Sequence, residues 1–147
     1  MQTSENSSLC RKIRPVDISA VLAELPAVEF VDTGGSNGCI AHPPWLDYFV
    51  ASLDLGRVLL AVCRKLPPGR GIPPHIDTVR GKANLGRRYH IPLVTHPLVT
   101  MRWPEDGEEH HLEAGWLYEV DYTRLHEIVH RAPVDRVHVQ VNAWPSA

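Results

Sequence analysis

No stretch of the 147-residue chain approaches the roughly 18 consecutive apolar residues that a membrane-spanning helix needs. The start, MQTSENSSLC, also lacks the charged segment and apolar core of a signal peptide. No membrane association is expected, and residues 1–10 read as a flexible tail. Cysteine is scarce. Cys10, Cys39 and Cys63 are odd in number, widely spaced and outside any C-x-x-C pattern, which favours a reduced, cytoplasmic setting over a disulfide framework. An excess of one charge is missing too: 15 basic residues face 17 acidic ones, giving a net charge of −2, so there is no electrostatic footprint for nucleic acid. What remains is a chain the size of one domain, 1–147, long enough to bury a real core.

The apolar residues that are present change period along the chain. In DISAVLAEL, Ile18, Val21, Leu22 and Leu25 fall at helical spacing behind Asp17, a suitable N-cap, and Pro26 follows. A second short helix is expected around Trp45 to Leu53, after a turn-rich loop over 33–44. From Arg57 onward, short β-type runs alternate with Pro and Gly: RVLLAVCRKL, PPHIDTV, RRYHIPLVT, PLVTMRW, EEHHLE, GWLYEVD, LHEIVHR and RVHVQVNAW. Such a series predicts a mainly β fold, a double-stranded β-helix (jelly roll, cupin-like) with its β core over about 57–144 and the short N-terminal helices covering one sheet.

HEIVH, residues 126–130, matches the H-E-x-x-H pattern of zinc proteases. That site needs a helix, so that two histidines one turn apart share the ion while the glutamate between them activates water. Here Ile128 and Val129 are β-branched and Pro133 closes the segment. The next residues, Arg136 to Asn142, alternate polar and apolar with the period of a strand. If HEIVH is extended, His126 and His130 stand roughly 13 Å apart and cannot share a metal. The extended zincin pattern fails as well, because Pro133 stands where a glycine is wanted and Arg136 where a third histidine is wanted. A zinc hydrolase using His126, Glu127 and His130 is therefore the weaker reading.

A different constellation is available. His75 and Asp77 are two apart in PPHIDTV, so on a strand both face one side at about 6.6 Å, close enough to converge on one ion. A distant third ligand would complete two imidazoles and one carboxylate, leaving positions open for a bidentate cosubstrate and oxygen. His126 is available for that role. Arg136, heading the alternating strand, could serve as the deep cation that holds the far carboxylate of 2-oxoglutarate, a task for which its planar fork is well suited. Taken alone it could equally be a surface ion pair with Asp135. Arg87, Arg88 and Lys82 form a local basic patch suited to carboxylates. His138 shares the polar face of Arg136 and reads as a structural barrel histidine, and Tyr89 should face away from the cavity.

The stretches LPPGRGIPPHID, RRYHIPLVTHPLVTMRW and GWLYEVDYTRLHEIVHRAPVDRVHVQVN, spanning roughly residues 66 to 142, resemble in order the aspartyl/asparaginyl β-hydroxylase-like group of Fe(II)/2-oxoglutarate dioxygenases, which includes L-proline cis-hydroxylases. The resemblance implies Fe(II) held by His75, Asp77 and His126, with 2-oxoglutarate and O2 as cosubstrates. It implies that Arg136 binds the 5-carboxylate, and that Arg88 and His90 contact a cosubstrate or substrate carboxylate. The carboxylate at position 77, where some relatives carry glycine, argues for hydroxylation. Where relatives often have asparagine, this chain has His130. The implied reaction hydroxylates a C–H of an amino acid, a peptide residue or a small carboxylate, releasing succinate and CO2. A non-catalytic cupin-like binding protein is the other alternative. The small size also suggests a homodimer in which a partner subunit covers the substrate.

Overall fold

The computed structural model describes residues 6–77 and 86–145. Along the chain the elements are β1 (Cys10–Pro15), α1 (Ser19–Glu24), a 3-10 turn (Leu25–Ala27), β2 (Val31–Asp32), β3 (Cys39–Ala41), α2 (Leu46–Ala51), β4 (Arg57–Leu66), β5 (Ile72–His75), β6 (Arg87–Val94), β7 (Val99–Trp103), β8 (Glu108–His110), β9 (Trp116–Val120), β10 (His126–His130) and β11 (Arg136–Trp144). Every run read as β in the sequence contains a strand. The strands form two antiparallel sheets, ordered β1-β9-β6-β11-β4-β3-β2 and β5-β10-β7-β8, a jelly-roll, cupin-type double-stranded β-helix.

β11 lies in the centre of the larger sheet, paired along its length with β4 on one side and β6 on the other. Its alternation therefore divides the molecule. Val137, Val139, Val141 and Ala143 point to one side, where they meet Tyr89, Ile91 and Leu93 of β6 and the apolar faces of the helices: Val21 of α1, and Leu46, Phe49 and Val50 of α2. Full burial of each such valine contributes roughly 1.5–3 kcal/mol. The opposite face carries Arg136, His138, Gln140 and Asn142, all buried, into the space between the sheets. The second apolar cluster lies there, with Leu66, Ile72, Met101, Trp103, Val120 and Ile128 among its members.

Four local expectations need correction. Residues 1–5 lie outside the described residues, but the rest of the expected tail is packed: the Ser7 hydroxyl accepts hydrogen bonds from the backbone N–H groups of Leu9 and Cys10, both of which are buried. β1 then pairs with β9, so the β structure begins far before residue 57. β1 was hard to read because it is an edge strand carrying Arg11, Lys12 and Arg14, the charged composition that protects sheet edges. The turn-rich stretch 33–44 likewise hides β3, which pairs with β2 and β4. Gly38 enters β3 at φ +72°, and a Cβ there would lie 2.8 Å from the Lys65 carbonyl oxygen. Ahead of α1, Asp17 accepts hydrogen bonds from the amide and the hydroxyl of Ser19, but the N-cap is Ile18 rather than Asp17, and the helix runs into a 3-10 turn containing Pro26 rather than stopping before it.

The three cysteines are buried and free, and no helix among the described residues is long and apolar enough to cross a membrane.

Gly71 governs how closely β5 approaches β10, since a Cβ there would sit 2.3 Å from the carbonyl oxygen of Ile128. Gly71→Ala is predicted to cost about 2 kcal/mol or more, as overpacking against rigid backbone does. Gly69→Ala, with φ +74° but open space around it, should cost about 1 kcal/mol, and urea unfolding separates the two. Equal costs would show that the close approach is not a constraint.

Candidate metal and anion site

HEIVH is a strand. As β10 it lies between β5 and β7, with His126, Ile128 and His130 turned inward while Glu127 and Val129 are half-buried on the other face. A shared zinc ion and a glutamate base are thereby excluded, because the two histidines are four residues apart along an extended chain and Glu127 points away from both. His130 accepts a hydrogen bond on Nδ1 from the Ala132 amide at 3.3 Å, a local structural contact.

His126 pairs instead with His75 across the β5–β10 ladder, bringing the ring centroids to 4.5 Å. Asp77 follows β5 by two residues, and its amide donates to the Tyr122 carbonyl at 3.2 Å, fixing the loop beneath the two rings. Nε2 of His75 lies 3.1 Å from Asp77 Oδ1, and Nε2 of His126 lies 3.4 Å from Asp77 Oδ2. Among the described residues, His75, Asp77 and His126 thus bring three ligand atoms within 4.8 Å of one another.

Their outer contacts suit a metal. Nδ1 of His75 lies 2.7 Å from the Pro73 carbonyl oxygen, and Nδ1 of His126 lies 2.8 Å from that of Arg124. A carbonyl oxygen only accepts, so both Nδ1 atoms carry the proton and both Nε2 atoms face the carboxylate. With neutral rings, two lone pairs and a carboxylate converge there, an arrangement that needs a cation, either protons or a metal. Trp103 supports the His126 ring at 6.2 Å between centroids. Burial pushes the Asp77 carboxyl up, but the hydrogen bonds that the protonated His126 and His75 rings donate from Nε2, together with the charge of Arg88, outweigh it and hold the group well below the usual carboxylate range.

Arg88 is the third contact of Asp77. Its Nη1 donates to Asp77 Oδ2, its Nε donates to Asn142 Oδ1 at 2.8 Å, and its guanidinium lies over the Tyr122 ring at 4.4 Å. Alternation along β6 separates the residues of the expected basic patch. Arg88 and His90 line the cavity, whereas Tyr89 packs on the helix side and Arg87 is half-exposed, 3.6 Å from Glu119. Lys82 lies outside the described residues. Nδ1 of His90 sits 3.0 Å from Nδ1 of His138, so one ring donates and the other accepts. Burial, then the charge of Arg136, pushes both histidines well below 6.5, which keeps the pair neutral.

Arg136 is 2% exposed and turned into the cavity, while Asp135 beside it is exposed. Its Nε is buried without a hydrogen-bond partner among the described residues. Burial, then the neighbouring charge of Arg64, pushes its pKa down to about 9. It remains a cation at neutral pH. The surface ion pair is ruled out by this placement. Arg64, Gln140, Tyr122 and Asn142 also belong to the site, although sequence reasoning did not select them. A signal for Arg64 existed: it is a charge within the apolar run RVLLAVCRKL, and β4 places it opposite His138.

Fold and donor set together define a cupin-type domain with a two-histidine, one-carboxylate group that could hold a metal ion. The comparisons with known proteins narrow this further. The aspartyl/asparaginyl beta-hydroxylase family matches residues 48–145, and the chain belongs to that family. A hydroxylating oxygenase is therefore the general class of its chemistry. A Pseudomonas putida prolyl-4-hydroxylase structure shares the fold, with a TM-score of 0.59 and 20% identity over 88% of this chain and 85% of that one. A cupin domain from Bordetella pertussis Tohama I matches with a TM-score of 0.45 and 18% identity, covering 61% of this chain and 90% of that one. Among curated proteins no sequence matches.

Metal binding at this site has a predictable pH dependence. The hydrogen bond that protonated His75 donates from Nε2 to Asp77 raises the His75 pKa above 6.5, and a metal needs the neutral imidazole. Affinity for Co(II) should therefore be full well above that raised pKa and fall at least about tenfold per pH unit below it, since each ligating imidazole that takes up a proton competes with the metal. Calorimetric titration from about pH 5.5 to 8 spans the range. Affinity independent of pH would show that His75 is not a ligand.

Proposed function

We propose that the cavity is the active centre of an Fe(II)/2-oxoglutarate-dependent dioxygenase that hydroxylates a C–H bond of an amino acid, a peptide residue or a small carboxylate. One oxygen atom enters the product and the other enters succinate, with loss of CO2. The observation that carries this reading is Arg136, a buried cation without a carboxylate partner among the described residues, lining the same cavity as His75, Asp77 and His126. A buried guanidinium without a counter-ion is costly unless a ligand completes it. An acid that reaches from the metal ligands to Arg136 would do so.

His75, Asp77 and His126 would hold the iron. The ligand set of two imidazoles and one carboxylate with open positions is the one that suits ferrous oxygenases. When bound, the metal supplies the redox chemistry that couples oxidative decarboxylation of the keto acid to C–H hydroxylation. The remaining work falls to the chain itself. The backbone carbonyls of Pro73 and Arg124 hold the imidazole protons on Nδ1, leaving Nε2 free to ligate. Arg88 orients Asp77, and is itself held by Asn142 and Tyr122. Arg136 receives the distal carboxylate. Ile72, Met101, Val120 and Ile128 line the cavity with apolar surface that excludes water.

The test is anaerobic titration of the Fe(II)-loaded protein with 2-oxoglutarate, reading the visible charge-transfer band of a chelated keto acid. His126→Ala should abolish the band. Arg136→Met, which keeps side-chain length and removes the charge, should weaken 2-oxoglutarate binding by about 3 kcal/mol, roughly a hundredfold. A cupin-like binding protein would take the metal and give no band. Folded wild-type protein that behaves so would overturn the proposal.

A further inference from the structure

Resting on that reading, we propose that Arg64, held by Gln140, is a second arginine for the distal carboxylate, so that the cavity selects keto acids bearing such a group. Arg64 stands on the inward face of β4, opposite His138 and one inward-facing pair from Arg136, which is opposite Leu66. Its Nη1 donates to Gln140 Oε1 at 2.8 Å. That partner is a neutral amide, which orients the guanidinium without balancing its charge. Nε of Arg64 is buried and has no hydrogen-bond partner among the described residues, as is true of Nε of Arg136.

The three arginines lining the cavity are therefore not equivalent. Arg88 is balanced by Asp77. Arg64 and Arg136 line the same space, and the charge of Arg64 bears on Arg136. Among the described residues neither forms an ion pair with a carboxylate, although the more distant charge of Asp77 is felt at Arg64. The His90–His138 pair beside them is neutral and adds no anion. A carboxylate offers two oxygens, each able to accept more than one hydrogen bond, and two guanidiniums offer more donors than their present partners use. One carboxylate lodged between Arg64 and Arg136 would satisfy both cations and remove their mutual repulsion. A keto acid without the distal carboxylate would leave them facing each other, which is the basis for discrimination against it.

The experiment compares 2-oxoglutarate with 2-oxobutyrate, which can chelate iron equally well but has no distal carboxylate. Both are titrated anaerobically into the Fe(II)-loaded wild type, Arg64→Met and Gln140→Glu, using the charge-transfer band as the readout. In Arg64→Met the 2-oxoglutarate Kd should rise about tenfold to a hundredfold, the loss of a charge-assisted hydrogen bond, while the 2-oxobutyrate Kd changes little. Gln140→Glu should act in the same direction, because the new carboxylate pairs with Arg64 and occupies it. Removing an unbalanced buried cation is not expected to unfold the domain, and a thermal melt checks each variant. A ratio of the two affinities unchanged in both variants overturns the assignment of Arg64. A wild type that gives no band with either acid overturns the dioxygenase reading and this inference with it.

Discussion

His126 meets His75 because β5 and β10 pair antiparallel, and everything at the site depends on that register. Side chains alternate along a strand, so a slip of one residue would turn His126 outward and bring Glu127 into the cavity. Several contacts hold the alignment. β10 is fixed on its other edge by four paired positions on β7. Gly71 lets the β5 backbone approach Ile128, and the Asp77 amide ties the loop after β5 to Tyr122. The two rings and the carboxylate are thus held by backbone geometry alone, and the carbonyls behind the rings fix which nitrogen is presented.

The second constraint is electrostatic. The larger sheet carries buried cations on one face, and each costs several kcal/mol of desolvation unless it is partnered. Arg88 recovers that cost through Asp77, Asn142 and Tyr122, whereas Arg136 has a buried Nε with no hydrogen-bond partner among the described residues. The opposite face of the same strands offsets it: the valines of β11 and the residues facing them on β6 form the helix-covered core, at roughly 1.5–3 kcal/mol for each fully buried side chain. One alternating strand therefore serves stability on its odd-numbered residues and chemistry on its even-numbered ones.

That division explains what could be read in advance. The period of β11 is visible in RVHVQVNAW, and the H-x-D pair was legible as two residues on one side of the chain, while His126 and Arg136 were legible as distant residues that could complete the group from other strands. HEIVH was legible as a strand because β-branched residues and Pro133 disfavour the helix its motif requires. Arg64 was not singled out, because its role depends on pairing with β11 across more than seventy intervening residues, and no local pattern carries that information. Arg87 and Arg88 look alike in sequence and are separated only by the pleat. β1 and β3 were obscured by edge charges and turn formers. Sequence shows which residues share a face; the register of distant strands decides which faces meet.

The most direct test of the account is whether His126 or His130 holds the metal. Co(II) binding measured on wild type, His126→Ala and His130→Ala should give one equivalent bound by the wild type and by His130→Ala, with tight binding lost in His126→Ala. Loss of the metal from both histidine variants alike would mean that HEIVH acts as a unit, contradicting the strand register on which this site is built.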